Sequence, residues 1–330
     1  MERAPILCTG AAGFVGARFV ESCNRRGVPL ISVDEPALFE QRPEHAGLAF
    51  GTILDRKAAE AKLAAGRLAP RAIVHLGACT DTTELDEPFL EDVNVRSSQA
   101  LWRAARAQGI PFVYASSAAT YGAGELGWSD DESRFAALRP LNPYGESKRR
   151  FDLWALEQER ADAAPPAWAG FKFFNVYGFG ERHKGRMASV VLQAFDQIRS
   201  QGRVRLFRSH KPGVADGHQS RDFVFVDDVV DVLWFALEKP LRRGVYNLGS
   251  GKARSFLDLA RAVFAALGAP ERIEWIDTPA DIRERYQYFT EADLTRLRAA
   301  GYARPFTSLE DGVRRSVARM LAAAATPLPA

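Results

Sequence analysis

Tyr144 and Lys148 stand four residues apart in Pro143-Tyr-Gly-Glu-Ser-Lys148, a spacing that puts both on one face of a helix. A phenol beside an ammonium can work as an acid–base pair on an alcohol. Ionising a tyrosine at pH 7 must overcome about three pK units, or roughly 4 kcal/mol. An ammonium about 4 Å away supplies roughly the same at an effective dielectric of about 20. Tyr144 can then take a proton from a substrate alcohol. Ser117, in Ser116-Ser117 at the end of a strand pattern, would hydrogen-bond the same oxygen. Chance alone yields roughly 0.2 such Tyr/Lys pairs in a chain of this composition, so the pair needs context.

The context is a glycine turn. Thr9-Gly10-Ala11-Ala12-Gly13-Phe14-Val15-Gly16 runs from a strand pattern into a helix pattern. Gly10 allows the sharp turn, Gly13 the close approach of a pyrophosphate, and Gly16 close helix–strand packing. The first helical turn, with Phe14 and Val15, then offers its N–H groups to the phosphates. This predicts dinucleotide binding. The second strand pattern ends at Asp34, where an acid bonds the adenosine ribose, and Glu35 follows. Two carboxylates where a 2′-phosphate would lie favour NAD over NADP, and Arg42 is the nearby cation that offsets them. After the fourth strand pattern come Leu76, Gly77, Ala78, Cys79 and Thr80, mostly small residues that let a cofactor pass. A positive nicotinamide would add to the pull on the Tyr144 proton. His75 reads as a packed core histidine, because no metal partner stands at ligand spacing.

These residues require a scaffold, and the pattern supplies one. Apolar runs at Ile6–Cys8, Leu30–Val33, Leu48–Phe50, Ala72–Leu76, Phe112–Ser116 and Phe171–Phe174 read as strands buried on both faces. Helix patterns alternate with them at Val15–Arg26, Arg56–Leu63, Phe89–Ala107 and Gly145–Gln158. The expected class is α/β: a Rossmann-type doubly wound parallel sheet with a smaller, mostly helical C-terminal substrate domain. After about residue 178 the rhythm loosens, although Phe223–Val226 and Val245–Leu248 read as strands with an Asp-capped helix between them. The expected division is 1–178 plus about 222–250 for the dinucleotide, and about 179–221 plus 251–330 for the substrate.

Composition sets the outer limits. The chain has 330 residues, 47% hydrophobic and 26% charged, with a net charge of +3. That balance argues against a nucleic-acid binder. No apolar stretch is long enough for a membrane-spanning helix. Cys8, Cys23 and Cys79 show neither disulfide nor zinc spacing, so no metal is expected and a reducing, cytoplasmic setting is. The opening residues lead straight into a strand, with no secretory signal expected. One local excess stands out. Residues 182–221 hold nine basic side chains against Asp196 and Asp216, either a solvated surface or a pocket for a diphosphate.

The glycine turn, Ser117 and Tyr144/Lys148, in that order, resemble the extended short-chain dehydrogenase/reductase family. The chain is further similar to the nucleotide-sugar epimerases that act on C6 of an ADP-linked heptose. The similar stretches are His75–Glu84, Tyr114–Gly122, Pro140–Gly145, Phe174–Gly178, His183–Val190, Arg221–Val226 and Arg285–Leu294. The resemblance implies oxidation of the C6 alcohol to a ketone and reduction from its other face, with the cofactor tightly bound and recycled. It implies Lys184 as a second acid/base, and Asn175, Phe207, Arg221 and Tyr286 at the substrate. Val176 and His183 would lie along the cofactor. It also implies NADP rather than NAD, and a homo-oligomer built on a pentamer. Arg186 and Gln193, expected at the substrate, stand where better-known members have Ser and His, and the Arg208–Ser220 loop is longer than theirs. Another epimerase, such as one acting on C4 of a UDP-hexose, would share the fold and the Tyr/Lys pair without needing Lys184. A dehydratase would carry an Asp-Glu pair where Ala118-Ala119 stand. A non-catalytic dinucleotide-binding protein would have no use for Ser117, Tyr144 and Lys148 together.

Overall fold

The structure, a computed structural model, describes residues 4–239, 241–279, 283 and 286–325. Arg285, which opens one of the resembling stretches, and the Pro/Ala tail after residue 325 lie outside the described residues. The chain falls into two compact units, one of Met1–Phe173, Val229–Leu248 and Asp293–Ala303, the other of Phe174–Asp228, Gly249–Ala292 and Arg304–Ala330.

The first unit is built on a seven-stranded sheet. Its strands are β1 (Ile6–Thr9), β2 (Leu30–Val33), β3 (Thr52–Leu54), β4 (Ala72–His75), β5 (Phe112–Ser117), β6 (Trp168–Phe173) and, after three strands of the second unit, β10 (Gly244–Leu248). They run parallel in the order β10-β6-β5-β4-β1-β2-β3. Helices α1 (Phe14–Arg25), α2 (Arg56–Ala64), α3 (Ser97–Gln108) and α4 (Pro143–Arg160) connect them. β1, β2 and β4 are buried at every residue, because helices cover both faces and leave no wet side for polar residues. Trp102 of α3 meets Phe112, Phe151 and Trp168 edge-on at 5.0–6.2 Å, an aromatic layer that packs α3 and α4 onto β5 and β6.

The third strand lies later than its sequence pattern suggests. Leu48–Phe50 is loop, and Ile31 pairs with Thr52. Phe50 is apolar because it packs edge-on against Phe39 at 4.7 Å, not because it pairs in the sheet. The helix expected over Phe89–Ala107 is interrupted by a π-helical segment at Glu91–Arg96.

The second unit holds β7 (Asn175–Tyr177), β9 (Ser220–Phe225) and β11 (Ala253–Ser255) in one sheet, and β8 (Val204–Phe207) beside β12 (Ile273–Ile276) in another. Its helices are α5 (Val190–Gln201), α7 (Phe256–Leu267) and α8 (Leu309–Ala325). Between the units in sequence runs α6 (Val226–Glu238). Among the described residues no helix is long and apolar enough to cross a membrane.

His75 closes β4 inside the first unit. Its Nδ1 lies 2.6 Å from Thr9 Oγ1 and its Nε2 2.8 Å from Ser98 Oγ. Burial pushes the imidazole from 6.5 down to about 3, and Lys148 adds to the effect. The unfolded chain therefore binds this proton near pH 6.5 and the folded chain only near pH 3. The stability involved is present above pH 6.5 and is lost as the pH falls toward 3. Between pH 7 and pH 4 the loss is about 3 kcal/mol from this residue. His75→Gln should shrink the pH 7-to-4 difference in unfolding free energy by about that amount. Denaturant titrations at the two pH values check it, and an unchanged difference would refute it.

Candidate active site

Helix α4 begins where its sequence says it should. Asn142 caps it by accepting the Gly145 N–H at 2.8 Å, and Pro143 occupies the first turn, where its missing N–H is not needed. That start puts Tyr144, Lys148 and Asp152 on one face. Tyr144 and Lys148 are only 8% and 6% exposed. The helix sits tightly on the turn after β5. A Cβ on Gly145 would come within 2.8 Å of the Ala119 carbonyl. Ser117 Oγ accepts the Ala119 N–H at 3.1 Å in that turn. Burial pushes the Tyr144 phenol up, and the hydrogen bond with Ser117 opposes it. Burial pushes the Lys148 ammonium down to about 8, with the charge of Asp152 opposing. Lys148 Nζ donates to the Ala115 carbonyl at 3.0 Å. The structure thus brings Ser117, Tyr144 and Lys148 together, as the sequence requires.

The glycine turn fits a dinucleotide. Gly10 has φ +66°, and a Cβ there would stand 2.7 Å from Leu76 and Gly77 backbone atoms. A Cβ on Gly16 would overlap the Gly10 carbonyl, and one on Gly13 would reach it at 3.0 Å. Gly13 is the N-cap of α1 and brings no side chain to the helix end, so the cradle that a Cβ would fill stays open. Phe14 is buried and Val15 half-buried in the first turn. Asp34 accepts the N–H of Ala12 and of Glu35, both at 3.0 Å. Burial pushes its carboxyl up, against those hydrogen bonds and the charge of Arg42. The Arg42 guanidinium donates to the Ala12 carbonyl. Glu35 is exposed. Leu76, Gly77, Ala78 and Cys79 follow β4 half-buried, with Thr80 exposed. Asn94, on the π-helical segment, grips Cys79 through both main-chain groups, at 2.8 and 3.0 Å, and donates to Ser147 Oγ at 3.0 Å. Sequence reasoning missed Asn94; an Asn on a helix beside the small-residue run is the only local signal.

The second unit holds the remaining candidates in two groups. Arg221 on β9, 7% exposed, lies 5.5 Å from the ring centroids of Phe256 and Tyr286. It donates to the carbonyls of Ser220 (2.9 Å) and Gln287. Phe207 meets Tyr286 edge-on at 6.1 Å. Tyr288, also missed, ties in the long loop: its hydroxyl accepts the His210 N–H at 2.9 Å. Asn175 and Val176 pair with Phe223 and Val224 on β7 and β9. The other group sits on the helical turn Arg182–Met187, with exposed His183 and Arg186 and half-buried Lys184. Gln193 Nε2 donates to the carbonyls of Arg186 (3.3 Å) and Ala188 (2.9 Å).

The surroundings of the basic run bear on the alternative left open by the sequence. The basic run does not converge on one pocket: eight of its nine cations are exposed or half-buried, and Arg221 alone is buried. Arg182, Arg203 and Arg208 pair with Asp196, Glu274 and Asp216. The neighbour of Lys184 is likewise a carboxylate, Glu181, at 3.7 Å, whereas Arg182 is turned to Asp196. Glu181 was not read from the sequence. It is 1% exposed and accepts the Ser189 N–H at 2.8 Å.

The profile of the NAD dependent epimerase/dehydratase family matches residues 6–249. An ADP-L-glycero-D-manno-heptose-6-epimerase of Fusobacterium nucleatum is 43% identical over 328 residues, 96% of this chain and 98% of the relative. One from Nitratidesulfovibrio vulgaris strain Hildenborough is 45% identical over 321 residues, with the same coverage. The crystal structure of the Helicobacter pylori ADP-L-glycero-D-manno-heptose-6-epimerase matches with a TM-score of 0.80 at 26% identity, over 97% of each chain.

The glycine geometry sets a direct test. Gly16→Ala puts a methyl group into the Gly10 carbonyl and must open the turn. Its affinity for a nicotinamide dinucleotide should fall at least about tenfold by calorimetric titration, a change of about 1.4 kcal/mol. Wild-type affinity in the folded variant would show that this turn does not cradle the cofactor.

Proposed function

The chain belongs to the NAD dependent epimerase/dehydratase family, and from that membership we infer that it inverts C6 of the heptose in ADP-D-glycero-β-D-manno-heptose to give the L-glycero epimer. The observation that carries this reading is 43–45% identity to heptose 6-epimerases over 96% of the chain. The chain is an enzyme of nucleotide-sugar metabolism that works with a nicotinamide cofactor. Bound at the glycine turn, that cofactor supplies reversible oxidation of the C6 alcohol and reduction of the ketone. The first unit is proposed to hold the dinucleotide, through Gly10, Gly13, Gly16, Asp34 and the Leu76–Thr80 segment. The second unit is proposed to hold the sugar nucleotide, with Arg221 at the diphosphate and Asn175, Phe207 and Tyr286 beside it. Val176 and His183 are assigned to the cofactor, and Arg186 and Gln193 to the substrate, by resemblance.

Tyr144 takes the proton of the C6 hydroxyl as the alcohol of one epimer is oxidised, and in the reverse reaction returns one at the same position. Lys148, at about 8, is mostly an ammonium at pH 7 and favours the phenolate. Ser117 orients the oxygen. Inversion requires the ketone to present both faces, so its oxygen takes two places in turn. A single phenol fixed by its helix serves one of them. Lys184 is the proposed acid/base for the other. A homo-oligomer based on a pentamer, in the cytoplasm, completes the reading by resemblance; light scattering measures the assembly.

The reaction is tested by incubating the protein with ADP-heptose and following the C6 configuration by NMR; no change at C6 would refute it. In the same assay Tyr144→Phe and Lys184→Met should each fold and lose at least about a hundredfold in rate. Arg221→Ala should raise KM roughly 10–100-fold. A near-wild-type Lys184→Met would leave Tyr144 to serve both oxygen positions.

For the cofactor we propose NADP, with Arg42 as the cation for the 2′-phosphate. The Arg42 guanidinium is anchored at the glycine turn, on the Ala12 carbonyl, and carries charge toward Asp34 and Glu35. Comparative titration should show NADP binding more tightly than NAD, and Arg42→Ala should erase the difference. A wild-type preference for NAD would overturn this.

A further inference from the structure

Helix α4 carries a third ionisable residue on its buried face. Asp152 lies four residues beyond Lys148 and is fully buried. Its Oδ1 accepts from the Tyr114 hydroxyl at 2.9 Å. Its Oδ2 accepts from Ser116 Oγ at 2.7 Å and from Lys172 Nζ at 2.6 Å. Lys172, on β6, is equally buried. Its ammonium also donates to Thr120 Oγ1 at 2.8 Å and lies 4.2 Å from the ring centroid of Phe135 and 5.3 Å from that of Tyr121. Thr120 in turn donates to the Ser117 carbonyl at 2.9 Å. Stability alone is a poor reason for such a pair, since apolar residues of equal volume commonly do as well. Location is a better one. One end of the pair stands on the helix of Tyr144 and Lys148, and the other reaches the main chain of Ser117 through Thr120.

We propose that Asp152 and Lys172 are a positioning pair for the reaction, tying the Ser117 turn to the Tyr144/Lys148 helix and fixing a negative charge one helical turn from Lys148 on the same buried face. The proposal rests on reading Tyr144 and Lys148 as the acid–base pair. The charged and titratable groups around Lys148 are few. Asp152 lies one turn along the same helix face, with Tyr144 one turn the other way. Cys79, in the segment after β4, and His75, on β4 and held neutral by burial, are close enough to interact electrostatically with it. Burial lowers Lys148 to about 8; Asp152 is the foremost group acting against this, and Cys79 follows. The charge of Lys172 is compensated by its contact with Asp152. Without the Asp152 carboxylate, Lys148 would lose its proton at lower pH, and with it the support for a Tyr144 phenolate.

The test reads Lys148 itself. In protein labelled with 13C-lysine, the Cε resonance of Lys148, assigned with Lys148→Arg, is titrated by NMR. Asp152→Asn should lower its midpoint by about one pH unit or more. The alkaline limb of the kcat–pH profile should move down with it, while KM stays close to wild type. Asp152→Asn leaves Lys172 buried without a counter-charge and can fail to fold. Asp152→Asn/Lys172→Met removes both charges and should show a shift in the same direction, smaller because the Lys172 charge is removed with the carboxylate. Lys172→Arg keeps the pair and should keep the wild-type midpoint and profile. An unshifted midpoint in either folded Asp152 variant overturns the proposal. So does loss of fold in both with Lys172→Arg intact, which would make the pair a requirement of folding alone. The NMR midpoint needs no substrate, so a wild type inactive on ADP-heptose would refute the proposed reaction and leave this test standing.

Discussion

Tyr144, Lys148 and Asp152 occupy one helix face, and that face is buried. A charge taken into a protein interior costs several kcal/mol unless neighbours replace its water. The neighbours here come from two strands of the sheet. β5 presents Tyr114 and Ser116 to Asp152 and the Ala115 carbonyl to Lys148, and β6 presents Lys172. Ser116 and Lys172 stand opposite each other in the strand register, so one rung of the sheet delivers both partners to the same carboxylate. The aromatic layer of Trp102, Phe112, Phe151 and Trp168 lies against the same elements. Dry surroundings strengthen each of these polar contacts and make an unmet one expensive. A face of ionisable side chains buried on this scale therefore dictates the polar residues of β5 and β6, and through them the packing of the sheet's centre.

A second chain of hydrogen bonds links this face to the glycine turn. The Thr9 hydroxyl meets both His75 Nδ1 and the Gly77 N–H. His75 passes to Ser98, Ser98 to the Asn94 carbonyl, and the Asn94 side chain to Cys79 and Ser147. Ser147 donates to the Tyr144 carbonyl at 2.7 Å. The π-helical segment at Glu91–Arg96 makes this possible, since its wider turn re-aims a side chain relative to an α-helix. The glycine turn and the Tyr144/Lys148 pair are thus held by one connected set of polar contacts, whose members are fixed by each other rather than by solvent.

What the sequence made legible was whatever is local and type-specific. Three glycines between a strand and a helix, and Tyr and Lys at i and i+4, announce themselves because no other residue types do the same work at those spacings. Buried parallel strands were legible as apolar runs, with Leu48–Phe50 misleading because Phe50 is apolar for a loop contact with Phe39. β8 and β12 were illegible: Arg205 and Glu274 interrupt them, and their pairing joins residues far apart in sequence. The same limit hid Lys172. Its meaning comes from Asp152, twenty residues away, and nothing in a linear pattern marks a lysine in an apolar strand as paired rather than misplaced. Lys184 is a further case: its side chain meets Glu181 across one turn of helix, a pairing that its basic sequence neighbours Arg182 and Arg186 do not suggest.

The candidate residues of the second unit are held differently. Asp222, fully buried on β9, collects the N–H groups of Ser250, Gly251 and Ala292 at 2.6–2.9 Å. That gathering fixes the strand on which Arg221 sits, so the guanidinium has a rigid base. Around it the partners are main-chain carbonyls and ring faces, which set few demands on neighbouring side chains. Gln193 shows the same character. Gln193 binds the carbonyls of Arg186 and Ala188 and so braces the loop that carries Arg186, without touching its side chain. The two positions that depart from the resembling family therefore meet at one place, a loop and the helix that steadies it. A change at either leaves the interior of the unit untouched. In the first unit, by contrast, altering Asp152 or Lys172 strands a charge in a dry core. The acid–base pair proposed for the first unit is locked by burial, and the contacts proposed for the substrate, Lys184 aside, rest largely on main chain that tolerates exchange.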